Sequence, residues 1–388
     1  MINIKWLFFG LFLTLLSSCS SLKRMVVNEN ITPIEISYLQ NDYYIIIDNI
    51  KVNSTPIDGN VIFDTGCNLT VIDNSVAQDL NIKTIKKVIH RDISGRMKFV
   101  PYVKVESLNV NGAVFRNVYA MVIDLSLFDC ENLKIILGDN VLKTGIWKID
   151  MLKHKITLYN QNENINYDGF HKIPFSHKFN WIKLEQFTFN GYELKNIKLD
   201  TGNPIPLTLS LKGKIKKETL IPAYSYEYYM RTLNKVQPKK IIEDYYFTSI
   251  NLNGLQVDSV FTVFTKNIPF RLIGLNFFKN STIIIDYKNS LIGIKEPFFM
   301  QKPNFENVGI SFDSFNDNEV IISTLRLNSP ADKLGVKVGD KVQKINGTDI
   351  SDFSLTKCGL IDSLYLMTKD TLYLKLENWE KPIQLIPE

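Results

Sequence analysis

The sequence predicts an all-β chain: two equivalent barrel lobes in tandem, followed by a smaller β unit with short helices. Three observations carry this prediction. A set of short motifs recurs at one fixed spacing through the middle of the chain. The segments around them are rich in β-branched and aromatic residues and are punctuated by Gly, Asn and Asp. Past Pro297 and Pro303 the pattern changes to a different arrangement of turns. The 388 residues also exceed one ordinary domain, so two or three units are expected.

Composition narrows the possible functions. The chain is 45% hydrophobic and 22% charged, which excludes disorder or a multi-span membrane protein as its main description. A net charge of +5 is small for this length and gives no reason to expect nucleic acid. Lys214, Lys216, Lys217, Lys239 and Lys240 form short basic runs that read as solvated faces. The four Cys and four His are scattered, and none lies at metal-ligand spacing. Neither a metal nor another cofactor is expected, nor a Cys/His nucleophile, nor a disulfide-stapled fold.

At the N-terminus, Lys5 precedes an apolar run over residues 6–16, too short to span a bilayer, which takes about 20 residues. The run ends Leu16-Ser17-Ser18-Cys19. This resembles the bacterial lipobox, in which small residues precede a Cys that is lipidated and becomes the first mature residue. Residues 1–18 are expected to be a signal peptide, Cys19 the lipidation site and residues 19–33 a polar tether. The resemblance implies membrane attachment in the cell envelope, with the outer membrane facing the periplasm as the expected location. A plain secretory signal with an incidental Cys is the simpler alternative.

Next comes the repeat. Val61-Ile62-Phe63-Asp64-Thr65-Gly66 returns as Ile197-Lys198-Leu199-Asp200-Thr201-Gly202, 136 positions later. Ile136-Leu137-Gly138 returns as Leu272-Ile273-Gly274, and Ile149-Asp150 as Ile285-Asp286, at the same offset. Leu108-Asn109-Val110-Asn111-Gly112 matches Ile250-Asn251-Leu252-Asn253-Gly254 six positions out of step, as an insertion and a later compensating deletion would produce. Strands are predicted over residues 43–47, 104–110, 118–123 and 156–159, and in the second copy over 181–189, 246–252 and 259–264. Helix is sparse: a turn over 75–80 and a short helix over 225–234. The lobes are placed at residues 34–165 and 166–300.

The two Asp-Thr-Gly motifs resemble those of the aspartic peptidases, over about residues 34–298. Each copy is retropepsin-like, and having both on one chain is pepsin-like. The resemblance implies a bilobal enzyme in which an apolar strand delivers each Asp-Thr-Gly to a tight turn. Residues 136–138 and 272–274 would be the strands crossing beneath. It further implies Asp64 and Asp200 as the catalytic pair, with Thr65, Gly66, Thr201 and Gly202 forming the loops that hold them. Two carboxylates about 3 Å apart cannot both ionise and would share a proton. A polypeptide would be the substrate, and one chain would suffice for the site. A flap is expected around residues 93–97, with Ser94, Gly95 and Arg96 at its tip. The matching stretch of the second lobe, residues 224–240, reads as a surface loop. Cys67 and Asn203 depart from the family pattern after each Gly, and Pro204 and Pro206 stiffen the second loop. Cys67 reads as a packing residue. Two other readings stay open. Asp-x-Gly is also ordinary turn chemistry, and a decayed second lobe would leave a non-catalytic peptide-binding lipoprotein.

The last unit, residues 304–386, holds Ser329-Pro330-Ala331-Asp332 and Lys333-Leu334-Gly335, then Val338-Gly339-Asp340 and Ile345-Asn346-Gly347. This resembles bacterial PDZ domains. Pro330 would open a short helix, Gly335 would end it, and Asn346-Gly347 suits a type I′ hairpin turn. The resemblance implies capture of an extended peptide or protein C-terminus by strand addition. Val308, Gly309, Ile310, Ser311 and Phe312 would form the carboxylate loop and edge strand. A unit that merely packs on the lobes is the alternative.

Overall fold

The computed structural model describes residues 26–30, 32–39, 43–91, 97–128, 131–177, 181–185, 187–189, 191–210, 223–230, 239–265, 269–295, 307–316, 319–352 and 367–388. The signal segment and Cys19 therefore lie outside the described residues, as do flap residues Ser94, Gly95 and Arg96. The described chain is mostly β, as expected.

Both lobes use one topology. In the first, Asn60–Phe63 runs parallel to Leu133–Leu137, which pairs antiparallel with Thr70–Asp73. That strand is parallel to Ala113–Ile123, which pairs antiparallel with Met97–Val110. In the second, Ile197–Asp200, Arg271–Gly274, Leu207–Ser210, Leu255–Thr265 and Lys239–Leu252 repeat this order and these directions. The long hairpins turn at Asn111-Gly112 and Asn253-Gly254, all four with positive φ. Their equivalence puts the compensating deletion of the repeat in the link from Thr265 to Arg271, which is shorter than the link from Ile123 to Leu133.

A six-stranded antiparallel sheet joins the lobes. Ile34–Ser37, Lys155–Asn160 and Gly145–Asp150 form its first half. Thr282–Asp286, Leu291–Lys295 and Phe170–His177 form the second. At the seam Lys148 pairs with Ile284, its own counterpart in the repeat, so a pseudo-twofold axis passes through that pair. Trp147, 1% exposed, fills the floor behind the first motif. Its ring meets Phe63 edge-on at 5.1 Å, and its N–H donates to the Leu142 carbonyl.

Three local expectations change. Residues 27–28, expected to belong to a free tether, form a strand against Phe115 and Arg116. The predicted helix over 225–234 is instead the strand Tyr224–Met230, followed by undescribed residues. Its Tyr residues at 224, 226 and 228 alternate with period two, a β signal that outweighs helix. The same segment is not a surface loop. It pairs with Lys239–Leu252 on one side and with Glu319–Arg326 of the last unit on the other, with Tyr226 opposite Arg326 and Tyr228 opposite Thr324. The second lobe's counterpart of the flap thus runs into the sheet of the PDZ-like unit. By contrast, the turn expected over 75–80 is the helix Asn74–Asp79, capped by Asp73.

The last unit has its own core, including Val308, Ile322, Leu325, Val336, Leu372 and Leu374. Ser329 caps the helix Pro330–Lys333, and Asn346-Gly347 turns with both φ positive.

Candidate active site

Each Asp of the repeated motif sits at the end of a strand whose core-facing residues are apolar. Val61 and Phe63 are buried on the core side, and Asp64 falls on the opposite, cleft side. Ile197 and Leu199 do the same for Asp200. The chain then folds back on its own carboxylates. Gly66 N–H donates to Asp64 Oδ1 at 2.7 Å, and Gly202 N–H to Asp200 Oδ1 at 3.1 Å.

The two glycines are needed for close approach rather than for turn conformation, since neither has a positive φ. A Cβ on Gly66 would stand 2.3 Å from Asp200 Oδ1, and one on Gly202 would stand 2.5 Å from Asp64 Cγ. Each loop therefore packs its glycine against the other lobe's carboxyl. Gly138 and Gly274 serve the strands beneath: a Cβ there would lie 2.6 Å from the Leu69 carbonyl carbon and 2.1 Å from the Ile205 oxygen.

The threonines lock the loops across the lobe junction. Thr65 N–H donates to Thr201 Oγ1 at 3.0 Å, and Thr201 N–H to Thr65 Oγ1 at 3.0 Å. Each hydroxyl then donates across the junction, Thr65 to the Leu199 carbonyl at 3.1 Å and Thr201 to the Phe63 carbonyl at 2.9 Å. Both side chains are fully buried, so every polar atom in the grip has a partner.

Asp64 and Asp200 come together at the junction, each carboxyl against the other loop's glycine, and the two carboxyls interact. Their residues keep some exposure at the cleft, yet protein surrounds the carboxyls on their other sides. Burial pushes both up from the ordinary carboxylate range. Asp200 is raised further because the charge of Asp64 adds to burial. Asp64 is held back by the N–H groups of Gly66, Cys67 and Gly202 and by the Asp200 carboxyl. Both carboxyls are thus raised, and the pair as a whole is suited to hold one shared proton.

The departures from the family pattern are accommodated locally. Burial and the Asp64 charge push the Cys67 thiol well up, and its Sγ donates to the Leu69 carbonyl, as suits a packing residue. Asn203 accepts from Ile205 N–H and donates to Thr208 Oγ1, so it builds the second loop from within.

One cross-lobe group has no local signature in the sequence. Asp139, fully buried in the first lobe, lies 2.9 Å from His177 Nε2 of the second, whose ring meets Tyr287 edge-on at 5.3 Å. The signal that marks it is an asymmetry of the repeat, Gly138-Asp139 against Gly274-Leu275.

The expected flap tip lies outside the described residues, but Thr84–Arg91 and Met97–Val110 are paired on either side of it. In the last unit, Val308 N–H donates to the Thr368 carbonyl and Gly309 N–H to Asn307 Oδ1. Ile310, Ser311 and Phe312 lie on the strand that follows.

Two family models match parts of the chain. Residues 49–141 match the aspartyl protease family model, and residues 298–361 match that of the PDZ domain. No curated protein matches the sequence. Among solved structures, one similar chain is conglutin gamma, a basic 7S globulin from lupine seeds, at 8% identity and a TM-score of 0.45. The alignment covers 69% of this chain and 96% of that one. The first match lies within the first lobe, and the second covers much of the last unit.

Proposed function

We propose that the chain is an aspartic endopeptidase. The observation that carries the reading is the Asp64–Asp200 pair at the lobe junction, with burial raising both carboxyls and both loops locked by the threonine grip. The ionised carboxyl of the Asp64–Asp200 pair takes a proton from a water held between the two, and the resulting hydroxide attacks the scissile carbonyl. The protonated carboxyl gives its proton to the carbonyl oxygen. As the tetrahedral adduct collapses, the C–N bond breaks, the proton taken from water passes to the leaving amine and the other carboxyl recovers one from the gem-diol. Both half-sites lie on one chain, so a monomer suffices.

The PDZ unit would hold an extended peptide or a protein C-terminus near the cleft. The lipobox-like residues 16–19 support anchoring through Cys19 in the cell envelope, facing the periplasm. The non-catalytic alternative rests on the unusual second loop, and the hydrogen bonds that Asn203 supplies weigh against decay there.

The test is degradation of a reduced, alkylated protein at mildly acid pH. Asp64→Asn should abolish it while leaving the circular dichroism spectrum unchanged. Undiminished cleavage by that variant would remove the enzyme reading.

A further inference from the structure

The hairpin beside the expected flap carries chemistry that the active site does not use. From Lys83 to Lys104 the sequence holds seven Lys or Arg against one Asp, a surplus of six where the whole chain carries +5. The excess positive charge of the protein is therefore gathered in this one hairpin. Ile85, Ile89, Met97 and Phe99 lie there too, at 54%, 59%, 68% and 67% exposure. They are four of the thirteen large apolar side chains exposed among the described residues.

Register separates the two faces of the hairpin. Val88 stands opposite Val100, and both join the apolar cluster beside the first motif. That inner face serves the cleft. On the outer face Ile89 stands opposite Phe99, with Met97 and Lys87 each two residues along. Lys87 is exposed, and so is Lys98 between Met97 and Phe99. Lysines guard a free strand edge against pairing, but exposed Ile, Met and Phe among them do the opposite and mark a contact surface. In the second lobe the matching hairpin is covered by Glu319–Arg326 of the last unit. Among the described residues Thr84–Arg91 pairs on one side only.

The course of the N-terminal segment indicates what meets this face. Val27–Asn28 runs antiparallel to Ala113–Ile123, with Val27 opposite Arg116 and Arg116 opposite Ser107. The N-terminal end of that short strand therefore points the way that Met97–Val110 leads back toward Met97. Eight residues separate Cys19 from Val27, and eight separate Phe99 from Ser107. Eight extended residues reach about 26 Å. A lipid on Cys19 would hold this flank of the first lobe within that distance of a bilayer, and a fully extended lead would bring the lipid level with Phe99.

We infer that the outer face of this hairpin docks on an anionic membrane surface, with Ile89, Met97 and Phe99 entering the headgroup layer and the lysines meeting lipid phosphates. The inference rests on the proposed anchoring through Cys19 and adds the surface that the anchored protein turns to the bilayer. Burial of apolar area and attraction of basic residues to anionic lipid reinforce each other in such binding.

The chain from Ser20 to Glu388 keeps every described residue and lacks the lipid, so its binding to vesicles reports the protein surface alone. Partitioning onto vesicles of phosphatidylethanolamine and phosphatidylglycerol should be at least about tenfold stronger than onto phosphatidylcholine, and added salt should weaken it. Ile89→Ser with Phe99→Ser should cut partitioning at least about tenfold, and Lys87→Glu with Lys98→Glu should do the same. Leu152→Ser with Ile242→Ser removes comparably exposed apolar side chains elsewhere and should stay within about twofold of wild type. Circular dichroism checks that each variant folds. No partitioning, partitioning that either hairpin pair leaves intact, or an equal loss in the control pair overturns the inference. So does a dimer of the vesicle-free chain that Ile89→Ser with Phe99→Ser abolishes, which would give the face to a second copy. Labelling of the full chain with radioactive fatty acid, lost in Cys19→Ser, tests the anchor separately. Labelling without partitioning sinks the docking face alone, and partitioning without labelling sinks the anchor alone.

Discussion

Replacing Thr201 by Val tests how the two halves of the site are held in register. Valine keeps the volume and loses one hydroxyl. Two bonds then vanish: Thr65 N–H to Oγ1 at 3.0 Å, and Oγ1 to the Phe63 carbonyl at 2.9 Å. Their partners stay buried beneath the loops, since Thr65 and Phe63 are both 0% exposed. An orphaned buried donor or acceptor costs about 1–3 kcal/mol, so two cost about 2–6 kcal/mol, with about 3 kcal/mol as the working figure. Because both bonds cross the junction, the damage reaches catalysis as well. A displacement of about 1 Å between the carboxyls would lower kcat by about 100-fold. The assay is denaturant unfolding followed by tryptophan fluorescence, with Trp147 packed against Phe63 as the reporter beside the grip. Thr201→Ser keeps the hydroxyl and should lie within about 1 kcal/mol of wild type. A Val variant within about 0.5 kcal/mol of wild type, or a Ser variant as damaged as Val, would refute the claim that this grip joins the lobes.

Three further outcomes follow from the same geometry. Asp200 is raised in the folded state, so the stability linked to it is fully present below the unfolded carboxyl value near 3.9 and is lost as pH rises through its folded value. Asp200→Asn should therefore unfold at a higher temperature than wild type at neutral pH, and the gap should close below about pH 4; a constant gap would show that the carboxyl is not raised. His177→Ala leaves the fully buried Asp139 without its 2.9 Å partner and should cost about 3 kcal/mol in denaturant, and a loss under about 1 kcal/mol would mean the pair does not tie the lobes. Gly274→Ala places a methyl 2.1 Å from the Ile205 backbone oxygen, so the second lobe should lose at least about 2 kcal/mol, read as an earlier unfolding transition; an unchanged transition would show that the strand is not packed so closely.

Much of this site was legible because it depends on local sequence repeated at a fixed offset. Asp64, Thr65 and Gly66 recur as Asp200, Thr201 and Gly202, and the fold brings the two triplets together across a pseudo-twofold axis. The PDZ turns were legible for the same reason, since Asn346-Gly347 encodes its own positive φ pair. What escaped sequence reading depends on distant partners. The glycines of the motifs look like turn residues, but it is the opposite lobe's carboxyl that forbids a Cβ. The strand Tyr224–Met230 owes its extended form in part to pairing with Glu319–Arg326, far along the chain. The Asp139–His177 contact crosses the lobe junction without a motif at either end.

The central claim is that both carboxyls act as one unit. The most direct measurement compares kcat/KM for an unfolded polypeptide in wild type, Asp64→Asn, Asp200→Asn and the double variant, with folding of each checked by circular dichroism. Groups that act as a unit show non-additive losses, so each single variant and the double should fall together, by about 1,000-fold or more. An Asp200→Asn enzyme within about tenfold of wild type would contradict the two-carboxylate site and leave the second lobe as scaffold.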